Sequence, residues 1–266
     1  MINAVLLDLD NTMLLFDETV YVNRYFEALA PRFSDWFSQG ELARRVIGAT
    51  AALRRNQGAQ PNRDFFLAHF CDGSDVPGAD VWKRFMDFYE NDYDGIQIPV
   101  AAPAGLHRTL ETLGSSGLKL VLASNPVFPK TAQETRMSWA GISGHMFDLF
   151  THIDNMAYVK PDAGYYRQIC DMLREPPAAC LMVGNDPVGD MAAKLAGLKT
   201  YRATDAERGG FATVSLTDRR NPLDPVIPDP DHAGPFAGVL SILNGDLGKN
   251  RPGKKALRAV GAVSGL

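Results

Sequence analysis

Two aspartates, one residue apart, follow a short apolar run close to the start of the chain. The run 4–7 leads directly into Asp8 and, after one leucine, into Asp10. Burying an ionised carboxylate is costly unless a cation or several hydrogen-bond donors compensate its charge. The pair therefore predicts a positively charged partner at the end of the first strand.

Other polar residues follow later apolar runs in the same way, and a lysine lies between two of these runs. They are Ser124 and Asn125 after 117–123, Lys160, and Asp186 and Asp190 after 179–183. In an open parallel sheet, ligands bind beyond the carboxyl ends of the strands. We therefore expect these side chains to meet Asp8 and Asp10 at one edge of a sheet.

The elements that would position these residues alternate between strand and helix. We predict strands at 4–7, 117–123, 147–151, 179–183 and 198–202, and helices near 104–113, 162–173 and 188–196. Strands separated by helices favour a parallel sheet that is covered on both faces. The predicted fold class is α/β, with a Rossmann-like parallel sheet core.

Between the first two strands, apolar residues recur at helical spacing. Three stripes are Val22, Tyr25, Phe26, Leu29 and Phe33; Leu42, Val46, Ala49 and Leu53; and Trp82, Phe85, Met86, Tyr89 and Tyr93. The pattern predicts a small α-helical domain over 16–97, inserted into a core domain formed by 1–15 and 98–248.

The polar residues at the strand ends resemble the motifs of the haloacid dehalogenase (HAD) superfamily, which occur in the same order along the chain. The matching segments are Asp8-Leu9-Asp10-Asn11-Thr12, Ser124, Lys160-Pro161, and Gly184-Asn185-Asp186-Pro187-Val188-Gly189-Asp190. Each motif alone is weak, because a turn, a helix cap or a surface lysine explains it equally well. Four matches in the right order, over about 200 residues, favour the family.

The resemblance implies phosphoryl transfer through an aspartate. By this resemblance Asp8 attacks phosphorus and forms an aspartyl-phosphate, and Asp10 protonates the leaving oxygen and then deprotonates the hydrolytic water. Ser124, Asn125 and Lys160 would bind the phosphoryl group.

The resemblance also implies a bound Mg²⁺, because a phosphate dianion next to several carboxylates needs a cation and oxygen-only ligands suit this ion. Asp8, the backbone carbonyl of Asp10, and Asp186 would hold it, with Asp190 as a further ligand or as a partner of Lys160 or of a metal-bound water. The alternative register places Asn185 at the ligand position and would weaken metal binding. We favour Asp186.

The inserted helices correspond in position to the helical cap of many HAD enzymes, which opens for substrate and closes over it. Leaving-group specificity would then come from cap residues that face the sheet. Four arginines of the insertion, Arg24, Arg54, Arg55 and Arg63, are candidates for binding a second acidic group, although a solvated surface position is favoured for each.

Composition restricts the kind of partner. The net charge of −4 and the pI near 5.7 argue against a nucleic-acid or anionic-membrane surface, so a small soluble ligand is the default partner. The resemblance implies that this ligand is a small phosphorylated metabolite. Cys71, Cys170 and Cys180 lack the spacing of a zinc site or a disulfide framework, and neither a signal peptide nor a membrane span is indicated. These observations predict a cytoplasmic protein, and both monomer and homodimer remain open.

Two segments near the C-terminus are predicted to be irregular. The range 221–235 contains five prolines, which indicates an extended surface loop before a helix over 236–243. The range 249–266 begins with a basic stretch, and we predict a disordered, solubilising tail.

Four functions compete. We favour a Mg²⁺-dependent phosphatase over a dehalogenase of the same superfamily, because releasing a halide needs no proton and Asp10 would have no purpose. A phosphomutase would use the same core but would return the phosphoryl group to the substrate instead of losing it to water. A non-catalytic binding module that retains the fold is the fourth possibility.

Overall fold

The computed structural model of the chain describes residues 1–211 and 226–244. In this part of the chain, six strands form one parallel sheet in the order β3-β2-β1-β4-β5-β6. The strands are β1 (Ala4–Leu7), β2 (Lys119–Leu122), β3 (Leu149–Phe150), β4 (Cys180–Gly184), β5 (Lys199–Ala203) and β6 (His232–Gly234). The predicted α/β parallel sheet and its five predicted strands are confirmed.

The register of the three central strands brings their ends together. Leu7 of β1 lies beside Leu122 of β2 and Val183 of β4. Because the strands are parallel, the residues that follow these three positions emerge at the same edge of the sheet.

Helices surround the sheet and also form a separate block. The α-helices of the described residues are α1 (Glu18–Phe33), α2 (Gln39–Ala52), α3 (Asn62–Phe70), α4 (Gly78–Asn91), α5 (Leu106–Ser115), α6 (Lys130–Trp139), α7 (Ala163–Leu173), α8 (Asp205–Gly209) and α9 (Val239–Leu243). The block of α1 to α4 lies between β1 and β2 in the chain. None of the helices in 1–211 and 226–244 is both long and apolar enough to cross a membrane.

Two apolar layers cover the sheet, one on each face. Side chains alternate along β1, so Val5 and Leu7 join one buried cluster while Ala4 and Leu6 join the other. The first cluster continues into α1 to α4 and the second into α7. Because both faces are buried, the strands are apolar throughout, which is why they were visible in the sequence.

The helical stripes were predicted with small errors of phase. All four residues of the α2 stripe are buried, but Val22 of α1 is half-buried and Tyr21 lies in the core instead. In α4, Trp82 and Met86 are half-buried, since the buried face is centred one residue away on Val81, Phe85, Phe88 and Tyr89.

The proline-rich loop was predicted wrongly at 232–234, which form strand β6. This strand pairs with β5 at the edge of the sheet and lies between Pro230 and Pro235, so no proline has to donate a hydrogen bond within it. The helix expected at 188–196 is shorter and takes the 3₁₀ form over Met191–Ala196. The helix near 236–243 is confirmed, whereas 212–225 and the predicted tail at 249–266 lie outside the described residues.

Candidate active site

A cavity of about 340 Å³ lies beyond the carboxyl ends of β1, β2 and β4. All seven residues that the sequence singled out line it: Asp8, Asp10, Ser124, Asn125, Lys160, Asp186 and Asp190. Phe16, Tyr21, Val22 and Thr50, which belong to the inserted range 16–97, line it as well. The cavity therefore lies between the edge of the sheet and the helical block.

Lys160 joins two of the predicted acids. Its Nζ donates to Asp8 Oδ1 at 2.8 Å and to Asp190 Oδ1 at 2.5 Å, and all three side chains are buried. Burial opposes the charge of the ammonium group, but the carboxylates of Asp190 and Asp8 outweigh it and raise the pKa of Lys160. Burial, together with the Asp8 carboxylate, raises the pKa of Asp190 to about 7.

Asp190 is engaged through both of its oxygens. Oδ1 binds Lys160, and Oδ2 accepts a hydrogen bond of 2.9 Å from the backbone N–H of Asp186. Gly184 makes room for this carboxyl group, because a Cβ atom at position 184 would overlap it. Of the roles predicted for Asp190, this geometry supports that of a partner of Lys160.

Thr12 connects the loop after β1 with the loop after β4. Its hydroxyl lies 3.0 Å from Asp8 Oδ2 and accepts a hydrogen bond of 2.9 Å from the backbone N–H of Asn185. The side-chain oxygen of Asn185 lies 3.1 Å from the same hydroxyl. Thr12 was part of the recognised motif but had been assigned no role. Its hydroxyl holds one oxygen of the Asp8 carboxylate.

The loops after β2 and before α7 are also joined. Asn125 Oδ1 accepts a hydrogen bond of 3.2 Å from the backbone N–H of Lys160. The backbone carbonyl of Ser124 accepts from the hydroxyl of Thr151 at 2.8 Å and from that of Tyr165 at 3.0 Å. These contacts hold Ser124 and Lys160 at the same end of the cavity.

Asp10 is paired with an arginine that the sequence analysis missed. Nη1 of Arg136 donates to Asp10 Oδ2 at 2.5 Å, and the arginine has no exposed surface. Burial raises the pKa of Asp10, and the charge of Arg136 opposes that rise. The only sequence signal is a cation at a helical position among the apolar residues Ala132 and Met137, which is too weak to identify a site.

The donor set fits the predicted Mg²⁺. Asp8 and Asp186 line the cavity, and Asp10 of the loop after β1 lines it beside them. In the described part of the chain, no group of three His, Cys, Asp or Glu side chains could hold a metal by itself. Mg²⁺ is commonly bound by one or two carboxylates, with waters and substrate phosphate completing its shell, so this oxygen set suits it.

The four arginines of the insertion lie elsewhere. None of Arg24, Arg54, Arg55 and Arg63 lines the cavity. Arg24 pairs with Glu27, and Arg63 pairs with Asp64 and Asp154. These positions support the solvated-surface interpretation.

Comparison with known families matches residues 2–197 to the haloacid dehalogenase-like hydrolases. The chain belongs to this family. It is therefore a hydrolase, and the resemblance inferred from the four motifs is confirmed. The family assignment accounts for the parallel sheet with its polar residues at the strand ends.

Individual relatives of this HAD-like hydrolase are distant. Protein CbbY of Rhodobacter capsulatus is 25% identical over 227 residues, which cover 83% of this chain and 93% of that protein. A variant of CbbY from Rhodobacter sphaeroides, solved in complex with xylulose 1,5-bisphosphate, has a TM-score of 0.54 at 20% identity and covers 89% of this chain and 96% of its own.

A 2-haloacid dehalogenase from Pseudomonas syringae pv. Tomato is about equally similar in structure. Its TM-score is 0.57 at 17% identity, and the match covers 92% of this chain and 99% of the dehalogenase. Sequence identities of this size show a common fold, whereas the reaction depends on the residues of the site.

Proposed function

We propose that the chain is a Mg²⁺-dependent phosphatase that hydrolyses a small phosphorylated metabolite through an aspartyl-phosphate. The observation that carries this proposal is the position of Asp8 between Lys160 and Thr12, with Asp10 at the same cavity. A buried carboxylate held at both oxygens is oriented for attack. A cytoplasmic location, argued from the cysteine pattern, and the helical block acting as a cap over the cavity belong to the same proposal.

The first step forms a bond between Asp8 and phosphorus and breaks the bond between phosphorus and the leaving oxygen. Lys160 Nζ, 2.8 Å from Asp8 Oδ1, lowers the repulsion between the nucleophile and the incoming phosphate. Ser124 and Asn125, which line the same cavity, would contact the phosphoryl oxygens.

Asp10 would move the proton in both steps. It donates a proton to the leaving oxygen in the first step, and in the second it accepts one from the water that attacks the aspartyl-phosphate. Free phosphate is released and Asp8 is restored. The raised pKa of Asp10, caused by burial, favours the protonated form that the first step needs. A dehalogenase would need no such acid, so Asp10 favours the phosphatase.

Asp8, the backbone carbonyl of Asp10, and Asp186 would hold Mg²⁺, with Asp190 supporting the site through Lys160. When bound, the ion neutralises charge on the phosphoryl group. The bisphosphate in the CbbY structure and the CbbY relatives support a phosphorylated metabolite as the substrate class.

The proposal is tested by phosphate release from a panel of metabolite phosphates. We expect Mg²⁺-dependent release from at least one of them. Activity should be lost with a chelator, because the cation is removed, and in Asp8→Asn, because the nucleophile is removed. Asp171→Asn, an exposed acid on α7, is the matched control and should retain full activity.

Turnover that survives in Asp8→Asn would exclude the covalent mechanism. Conversion of a sugar phosphate to its isomer without free phosphate would indicate a phosphomutase. Inactivity across the whole panel would favour a binding module.

A further inference from the structure

Arg136 is a buried cation that the proposed reaction does not yet use. Its Nη1 donates to Asp10, but its Nε and Nη2 are buried and have no hydrogen-bond partner. A buried donor without a partner costs stability, and folded proteins contain few of them. The position of Arg136 is therefore not explained by the stability of the fold alone.

The surroundings of Arg136 fix its plane and leave Asp10 as its one ion-pair partner among the described residues. The guanidinium carbon lies 4.5 Å from the centroid of the Phe128 ring, a distance typical of a cation–π contact. The nearby hydroxyls of Tyr21 and Tyr93 are hydrogen-bonded to each other at 2.5 Å. An arginine stacked in this way presents its donors in a fixed direction.

Asp10 is held by one oxygen only. Oδ2 accepts from Arg136, whereas Oδ1 is buried and has no hydrogen-bond partner. Arg136 lies on α6, the helix that follows β2, while Asp10 lies in the loop after β1. The ion pair therefore fixes the orientation of a loop residue from a neighbouring helix and leaves one oxygen uncommitted.

We propose that Arg136 is a positioning residue for Asp10, holding Oδ2 so that the carboxyl group keeps the orientation in which it exchanges the proton with the leaving group. This inference rests on the proposed function, in which Asp10 donates a proton to the leaving oxygen and later accepts one from water. Arg136 itself neither gains nor loses a proton. Its contribution is the orientation of the carboxyl group.

Substrates differ in how much they need this proton. An alkoxide is a strong base, so an alkyl phosphate requires protonation of the leaving oxygen. The 4-nitrophenolate ion is stable in water, so 4-nitrophenyl phosphate requires little protonation of its leaving oxygen. Loss of the orienting contact should therefore slow the first step selectively, and the selectivity separates positioning from a general loss of structure. This step is measured as leaving-group release in the first turnover, before the common aspartyl-phosphate is hydrolysed.

The experiment measures leaving-group release by Arg136→Met in the first turnover, with enzyme in excess and Mg²⁺ present, for an alkyl phosphate and for 4-nitrophenyl phosphate. We expect the maximal first-turnover rate for the alkyl phosphate to fall about 10²-fold, the lower end of the contribution of general acid catalysis, with little change in the concentration that gives half of that rate. The first-turnover rate with 4-nitrophenyl phosphate should change little. Guanidinium ion should restore part of the lost activity in Arg136→Ala, and this rescue requires a folded enzyme.

Lys130→Met is the matched control. Lys130 lies on the same helix and pairs with Glu134 at the surface. Removing its charge should leave the first-turnover rates with both substrates unchanged. Equal losses of the first-turnover rate with both substrates, no loss at all, or a raised half-saturating concentration with an unchanged maximal rate would overturn the inference. The raised half-saturating concentration would indicate that Arg136 binds an anionic part of the substrate.

Asp10→Asn separates a failure of this inference from a failure of the proposed function. If Asp10→Asn shows the selective loss and Arg136→Met does not, only the positioning role is wrong. If Asp10→Asn changes the first-turnover rate equally with both substrates, or with neither, the role of Asp10 as the acid of the first step is wrong, and the positioning role is wrong with it.

Discussion

At the scale of single residues, Lys160 places one positive charge between two buried carboxylates. Its Nζ lies 2.8 Å from Asp8 Oδ1 and 2.5 Å from Asp190 Oδ1. Removing one partner from a buried ion pair is strongly destabilising, because the remaining charge is left uncompensated. The arrangement depends on Gly184, since any larger residue there would occupy the space of the Asp190 carboxyl group.

We predict that Gly184→Ala displaces Asp190 and with it Lys160. Because a shift of about 1 Å in an active site can cost about 10²-fold in rate, kcat/KM for phosphate release should fall by at least that factor. Gly48→Ala is the control, since a Cβ there meets no atom within 4 Å and α2 should be slightly stabilised. Unchanged activity in Gly184→Ala would contradict the role of Asp190.

At the scale of elements, the turn after β1 both forms the site and starts the helical block. Asn11 has a φ of 57°, a left-handed conformation that asparagine adopts more readily than most residues. Its side chain accepts a hydrogen bond from the backbone N–H of Phe16 and donates one to Glu18. The chain then enters α1 at Asp17, which accepts from the backbone N–H groups of Thr19 and Val20.

We predict that Asp17→Ala lowers the free energy of unfolding by about 1 kcal/mol, because α1 loses its N-terminal cap. Urea denaturation measures this change. Asp17→Asn keeps a capping oxygen and should be close to the unmodified protein. An equal loss in both variants would attribute the effect to charge and not to the cap.

At the scale of the whole molecule, the cavity has an excess of negative charge. Among the described residues, its lining contains six acids, namely Asp8, Asp10, Glu18, Asp186, Asp190 and Glu207. The cations Lys160 and Arg136 also line it, and each is already paired with a carboxylate. Arg202, close to the cavity, pairs with Glu207. One phosphate can be accommodated with Mg²⁺, whereas a second would meet like charge.

We therefore predict that a sugar monophosphate is a better substrate than the corresponding bisphosphate. The difference in kcat/KM should be about tenfold or more, equivalent to about 1.4 kcal/mol of repulsion. Steady-state kinetics with both substrates at fixed Mg²⁺ measures it. A preference for the bisphosphate would contradict this prediction.

Much of the fold was predictable because the sheet is buried on both faces. Short apolar runs marked five strands, and the four motifs marked the loops that follow them. The sixth strand was not predictable from composition, because an edge strand of three residues between prolines has neither a long apolar run nor a clear alternation. The phase of the stripes in α1 and α4 depended on how these helices pack, which a periodic pattern defines only to within about one residue.

The sequence by itself determined that seven polar residues at the strand ends and in the loop before α7 line one cavity, because residues that follow parallel strands meet at one edge of the sheet. Only the tertiary structure decided which side chains bind one another. Lys160 reaches Asp8 across 152 residues of sequence, and Arg136 reaches Asp10 across 126. Local patterns record which face of an element is buried, but such contacts depend on the packing of whole elements. For that reason Asp10 was visible in the sequence and its partner Arg136 was not.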